Sequence, residues 1–133
     1  ESICKAYKPD VVLLDMGDKF AKGGYARQDE SLKANAIHAR QIAKEHECAV
    51  FYMSQLSADA EGKILLNQSM MEGSRTGKAA EADLMILIAK NPPVQDKDEE
   101  DSERHLNVVK NKLSGWHGSV HCQLDYKTAR YEG

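Results

Sequence analysis

Asp10-Val11-Val12-Leu13-Leu14-Asp15-Met16-Gly17 is the stretch on which the fold turns. Four consecutive Val and Leu residues read as a strand with apolar surroundings on both faces, the pattern of a parallel sheet rather than of a half-solvated antiparallel one. The run ends in an acid and a glycine, and open α/β sheets bind their ligands at the carboxyl ends of strands. A carboxylate there can hold Mg2+ directly or through water, as the second acid of nucleotide-hydrolysing enzymes does. A strand-ending Asp equally often satisfies nearby backbone donors, so Asp15 alone leaves both readings open.

Downstream, Gly23-Gly24 opens a loop, and Asp29 to His46 carries good helix formers with Leu32, Ala36, Ala39 and Ala43 at helical spacing. That narrow stripe suits a helix lying on a sheet, with Asp29 or Ser31 as its cap. Ala49 to Ser54 is a second apolar run, so strand, helix and strand make a right-handed βαβ unit. Residues 57 to 80 read as loop with one helical turn around Leu66 to Met71, and Leu84 to Ala89 is a third apolar run. Asn91 to Arg104 holds one core-forming residue, Val94, and reads as an exposed acidic excursion. His105 to Lys112 and Ser119 to Tyr126 are strand-like, and Gly115 and Gly118 between them point to a hairpin.

The size bounds the answer. A chain of 133 residues makes one compact domain or a piece of one, and 41% apolar residues supply a core without staples. Three cysteines at wide spacing, Cys4, Cys48 and Cys122, argue for free thiols and a cytoplasmic setting. No apolar run reaches the roughly 20 residues a membrane helix needs. The net charge of -3 speaks at first against a nucleic-acid partner. Six acids and two bases between Asn91 and Arg104 give that excursion -4, however, and leave the rest of the chain at +1.

Several further groups have the right chemistry for a phosphate ligand. Gln55, ending the second strand, lies on the same rim as Asp15 and offers a neutral amide that can contact a phosphate. Gly73-Ser-Arg75-Thr-Gly77-Lys78-Ala79 looks like a phosphate-binding loop, but it has three residues where four are required before the Gly-Lys pair, and Ala79 has no hydroxyl for Mg2+. What remains is a glycine-rich loop whose Arg75 and Lys78 suit a phosphodiester backbone or simply face solvent. Alternation sends Lys110 and Lys112 to one side, towards an anion or towards water at a protected strand edge. His117, His121 and Cys122 have a ligand-like spacing, but no second cluster completes a tetrahedral site. Trp116, Tyr126 and Tyr131 read chiefly as packing.

Lys8-Pro-Asp-Val-Val-Leu-Leu-Asp15-Met resembles the phosphoacceptor strand of two-component receiver domains, which would make Asp15 the phosphoacceptor of a signalling domain. The likeness ends there, because the Met-Pro turn and the closing Lys-Pro pair of receivers are absent. A second resemblance runs from about Asp10 to Tyr131. The Asp15 strand, Tyr52-Met-Ser-Gln55-Leu56, Arg75-Thr-Gly77-Lys78 through Glu81-Ala-Asp83, Lys110-Asn-Lys112 with Gly115 and Gly118, and Asp125-Tyr126 with Arg130-Tyr131 follow one another in a familiar order. Together they resemble the C-terminal half of the RecA-like motor of DnaB-type hexameric replicative helicases and phage primase-helicases. That likeness implies an α/β fold, a partial P-loop NTPase sheet without its Walker A portion, closed by a C-terminal β-hairpin. It implies a ring of identical subunits moving on single-stranded DNA with ATP and Mg2+, with a primase as possible partner. Asp15 would serve Mg2+, Gln55 would sense the γ-phosphate, and Lys110 and Lys112 would reach a neighbour's nucleotide. Arg75, Gly77 and Lys78 would contact DNA. Lys112 stands where the family usually has Arg, and the phosphate loop and catalytic glutamate precede the Asp15 strand in that family. This stretch alone is therefore expected to be inactive. A non-catalytic RecA-like DNA-binding or loader protein is the alternative.

Overall fold

The computed structural model describes residues 1–20, 28–71, 77–92 and 101–133. Its contacts group residues 1–56 and 71–82 in one unit, and residues 57–70 and 83–133 in another. The loop expected at Gly23-Gly24 and most of the acidic excursion lie outside the described residues.

The first unit contains α1 (Ser2–Tyr7), β1 (Val11–Leu14), α2 (Gln28–Glu45), β2 (Ala49–Tyr52) and α3 (Gly77–Glu81). β1 and β2 pair in parallel, from Val11 opposite Ala49 to Leu14 opposite Tyr52, as the two apolar runs predict. Backbone bonds from Ala49 N to Asp10 O and from Met53 N to Leu14 O carry the ladder past both ends. One face of the pair is packed: Val12 and Val50 meet Cys4 of α1, Ile42 of α2 and Cys48. The opposite face is bare, with Val11 51%, Leu13 64% and Phe51 57% exposed. The expectation of a strand covered on both faces is thus met on one face, because only α1 and α2 are available to cover it.

α2 buries Leu32, Ala36, Ala39 and Ile42. The stripe matches the expected one except at its end, where the larger Ile42 takes the core place and Ala43 is half-buried. Asp29 lies inside the helix rather than capping it. α1 and α3 fall where the sequence offered no helical periodicity long enough to read.

The second unit is a four-stranded antiparallel sheet in the order β3 (Leu84–Lys90), β4 (Glu103–Asn111), β5 (Gly118–Asp125) and β6 (Arg130–Glu132). β3 is no continuous buried run: Met85, Leu87 and Ala89 are buried and the residues between them exposed, the alternation of a sheet with one covered face. The β4 to β5 connection is the expected hairpin. Asn111 Oδ1 accepts the N–H groups of Leu113 and Ser114 at 3.0 and 3.1 Å, and Gly115 takes φ +75°. Trp116 lies against Gly118, where a Cβ would come 2.7 Å from the indole. β4 begins at Glu103, so Glu103 and Arg104 belong to the sheet rather than to the acidic excursion. A register shift between Met85 and Ile86 leaves Val109 outside the pairing, and its carbonyl accepts Gln68 Nε2 at 2.9 Å. Asn107 is buried, and its amide donates to Ile64 O at 3.0 Å. Cys4, Cys48 and Cys122 are free and buried, and no helix among the described residues is long and apolar enough to cross a membrane.

Leu32 is the most deeply buried large side chain, 2% exposed. Replacing it with Ala should destabilise the chain by about 2–5 kcal/mol, read as a lower urea midpoint, whereas Leu32→Met should cost less than about 1.5 kcal/mol.

Candidate functional site

β1 does not run straight on after Asp15. Met16 adopts φ +52°, in the left-handed region that non-glycine residues rarely enter, and turns the chain into a 3-10 turn over Gly17–Lys19. Gly17 N donates to Met53 O at 3.0 Å, and Gly17 O accepts Asn35 Nδ2 of α2 at 3.2 Å. The ring of Tyr52 occupies the space where any side chain at residue 17 would stand.

That turn delivers Asp18 inward. Its Oδ1 accepts Lys78 Nζ at 2.7 Å and Tyr52 OH at 3.2 Å; its Oδ2 accepts Ser54 Oγ at 2.6 Å and Gln55 N at 3.3 Å. Lys78 Nζ also donates to Ser54 Oγ at 2.7 Å. The ion pair is shut away from water, with side-chain exposures of 3% for Lys78 and 7% for Asp18. Burial pushes the Asp18 carboxyl upward. The hydrogen bonds from Lys78 and Ser54, the Lys78 charge and the Gln55 N–H outweigh it and hold Asp18 below the usual carboxylate range. Burial and the adjacent Asp18 charge push the Tyr52 hydroxyl the other way, above its usual range, so it stays a donor. α3, which carries Lys78, is tied to α2 where the Arg40 guanidinium donates to Glu81 O and pairs with its carboxylate at 3.8 Å.

The residues singled out by sequence fall into distinct settings. Asp15 and Gln55 leave the carboxyl ends of the two paired parallel strands, and both side chains are exposed. Neither side chain engages another among the described residues, although the Gln55 N–H is committed to Asp18. Lys78, expected as a solvated cation for a phosphodiester, is buried with its charge compensated by Asp18. The physical reason is the four-donor pocket around Asp18, which takes the ammonium out of solvent. Gly77 begins α3 and is buried; Arg75 lies outside the described residues. Lys110 is half-buried on β4, opposite Met85. β4 ends at Asn111, so strand alternation does not extend to Lys112, which sits in the turn with its ammonium 3.3 Å from Asp83 Oδ1. Sequence reasoning missed Asp18, Tyr52 and Ser54. Their only signal is position, since Asp18 follows Asp15 by three residues and Ser54 precedes Gln55.

Removing either charge of the buried pair strands the other. Asp18→Asn and Lys78→Met should each destabilise the chain by about 3–5 kcal/mol in urea unfolding, and the double variant should cost less than their sum. Because the folded-state pKa of Asp18 is depressed, its stabilisation is present above the unfolded value near 3.9 and is lost as pH falls through the lower folded value. Acid unfolding of Asp18→Asn should accordingly be less steep than that of the parent chain.

No model of a known protein family matches the sequence, and no curated protein does. Solved structures do. The chain is similar to a helicase ATPase domain of known structure, with a TM-score of 0.75 and 16% identity over 92% of this chain and 44% of that one. It is similar also to a DnaB-like replicative helicase studied for its interactions with primase, with a TM-score of 0.69 and 15% identity over 92% of this chain and 29% of that one. The chain thus spans less than half the length of either protein. It carries the mixed α/β, RecA-like fold of a fragment of a DnaB-type helicase ATPase domain.

Proposed function

We propose that the chain is part of an ATP-dependent replicative DNA helicase that moves on single-stranded DNA as a ring of identical subunits. The observation that carries this reading is the pair of exposed, uncommitted side chains, Asp15 and Gln55, at the carboxyl ends of adjacent parallel strands, on a fold shared with helicase ATPase domains. A single hard carboxylate suits Mg2+, which keeps most of its waters and takes one or two carboxylates together with substrate phosphates. Bound there, Mg2+ with ATP would supply the charge neutralisation that phosphoryl transfer requires. Asp15 holds the ion's water shell, and Gln55 offers its amide to the γ-phosphate. Asp18 takes no part in this, since its lone pairs are occupied by Lys78, Ser54, Tyr52 and Gln55.

Arg75 and the backbone around Gly77 are the DNA-contacting elements in this reading, with Lys78 as the buried post that fixes the loop's exit into α3. Lys110 and Lys112 face a neighbouring subunit's nucleotide, Lys112 as a point charge rather than a planar fork. The bare face of β1 and β2 supports a larger assembly around this piece. Residues 1–133 hold no complete phosphate loop, so by themselves they should bind ATP weakly and not hydrolyse it.

In the longer protein that carries this chain, Asp15→Asn should lower ATP turnover by at least about a hundredfold while leaving the thermal midpoint unchanged. Undiminished turnover would remove Asp15 from the role. A parent lacking the phosphate loop altogether would make the protein a non-catalytic RecA-like DNA-binding or loader protein. Arg75→Ala should weaken single-stranded DNA binding and reduce the slope of log affinity against log salt by about 0.7; an unaltered slope would exclude Arg75 from the DNA path.

A further inference from the structure

We propose that Glu103, His105 and His121 form a binding site for a divalent transition metal ion, best suited to Zn2+, on one face of the β4–β5 ribbon. The placement follows from the sheet. Glu103 and His105 are two residues apart on β4 and so share a face, and His121 of β5 is in register opposite His105. One ligand atom from each residue lies within 4.8 Å of the others. The two imidazole centroids are 5.2 Å apart with their planes tilted by 50°, and His121 Nε2 is 3.7 Å from Glu103 Oε2. Donors bound to zinc at about 2.0–2.2 Å sit roughly 3.3–3.5 Å apart in a tetrahedron, so about 1 Å of closure completes the set. The His121 and Glu103 side chains, 53% and 46% exposed, are free to make that movement.

Asn91 supplies the outer support such a site needs. Its Nδ2 donates to Glu103 Oε2 at 2.7 Å, and its Oδ1 lies 3.0 Å from His105 Nε2. With the amide nitrogen facing the carboxylate, the amide oxygen accepts from the imidazole, so Nε2 carries the proton and Nδ1 keeps the lone pair. A single residue thereby orients two of the three ligands, the arrangement that fixes tautomer and ring angle around bound metals. Two imidazoles and a carboxylate favour zinc and its borderline neighbours over Mg2+ or Ca2+, and leave a fourth position for water. The ligand set is not the His117, His121 and Cys122 group suggested by spacing along the chain. Cys122 is buried, and its thiol donates to Arg104 O at 3.7 Å. A metal held by Glu103, His105 and His121 staples β4 to β5, a task separate from that of Mg2+ at Asp15.

The test is a titration of the chelator-stripped chain with Co2+, followed by its visible d–d absorption, and then displacement by Zn2+. One saturable equivalent is expected, with the intense spectrum of four-coordinate cobalt. His121→Gln and His105→Gln should each weaken binding by at least about tenfold, and Asn91→Ala by about tenfold through its positioning role. His117→Gln and Cys122→Ser should bind as the parent does. Zinc should raise the thermal midpoint of the parent chain but not of His121→Gln, a change at an exposed position that leaves the fold intact. Absence of a saturable site, equal affinity in His121→Gln, or loss of binding in Cys122→Ser would each overturn the proposal.

Discussion

The buried pair of Asp18 and Lys78 is the constraint on which the first unit's functional edge depends. Two charges withdrawn from water are costly unless their remaining hydrogen-bonding capacity is met. Here Ser54, Tyr52 and the Gln55 N–H meet it for the carboxylate, and Ser54 also accepts from the ammonium. The four donors come from β2, from the segment just beyond it and from α3. None is near Asp18 in sequence, so the pair ties three separate segments to one turn. A hydrophobic replacement of similar volume would fill the space but could not fix the Gln55 backbone or the start of α3 to the turn after β1.

The same turn separates two acids with opposite environments. Asp15 and Asp18 are three residues apart, yet one is exposed and the other enclosed. Met16 in the left-handed region makes the difference by reversing the direction of the chain between them. Such a backbone costs of order 1–3 kcal/mol and persists only where its surroundings hold it. Gly17 contributes to that hold because Tyr52 can lie on it. The result is a carboxylate at the strand end whose lone pairs remain available, supported from behind by one whose lone pairs are all used.

What the sequence disclosed follows from the range of each signal. β1, α2 and β2 are legible because a Val-Leu run and an i, i+3, i+4 stripe are local patterns. The β4–β5 hairpin is legible for the same reason, since Asn111, Gly115 and Gly118 sit within one turn. Lys78 was unreadable as a buried cation because its partner lies 60 residues away and its neighbours, Gly73, Ser74 and Gly77, are those of a solvated loop. His105 and His121 illustrate the same limit: 16 residues separate them along the chain, and only the β4–β5 register makes them neighbours. The expected two-sided burial of β1 failed for a different reason, since composition states what a strand would favour and not what is present to cover it.

That uncovered face bears on the helicase reading itself. Val11, Leu13 and Phe51 present a contiguous apolar surface on two paired strands, next to a rim where Asp15 and Gln55 are polar and exposed. Single exposed apolar residues are ordinary on soluble proteins; a row of them on one sheet face is not. A β-sheet of two strands is also too small to be stable on one covered face alone. Both features are accounted for if further strands and helices of a RecA-like motor pack on this pair, leaving only its polar tips open to nucleotide. The hydrophobic pattern of Asp10 to Gly17 then describes the strand in that larger assembly, and Asp15 at its end is where the assembly meets its ligand.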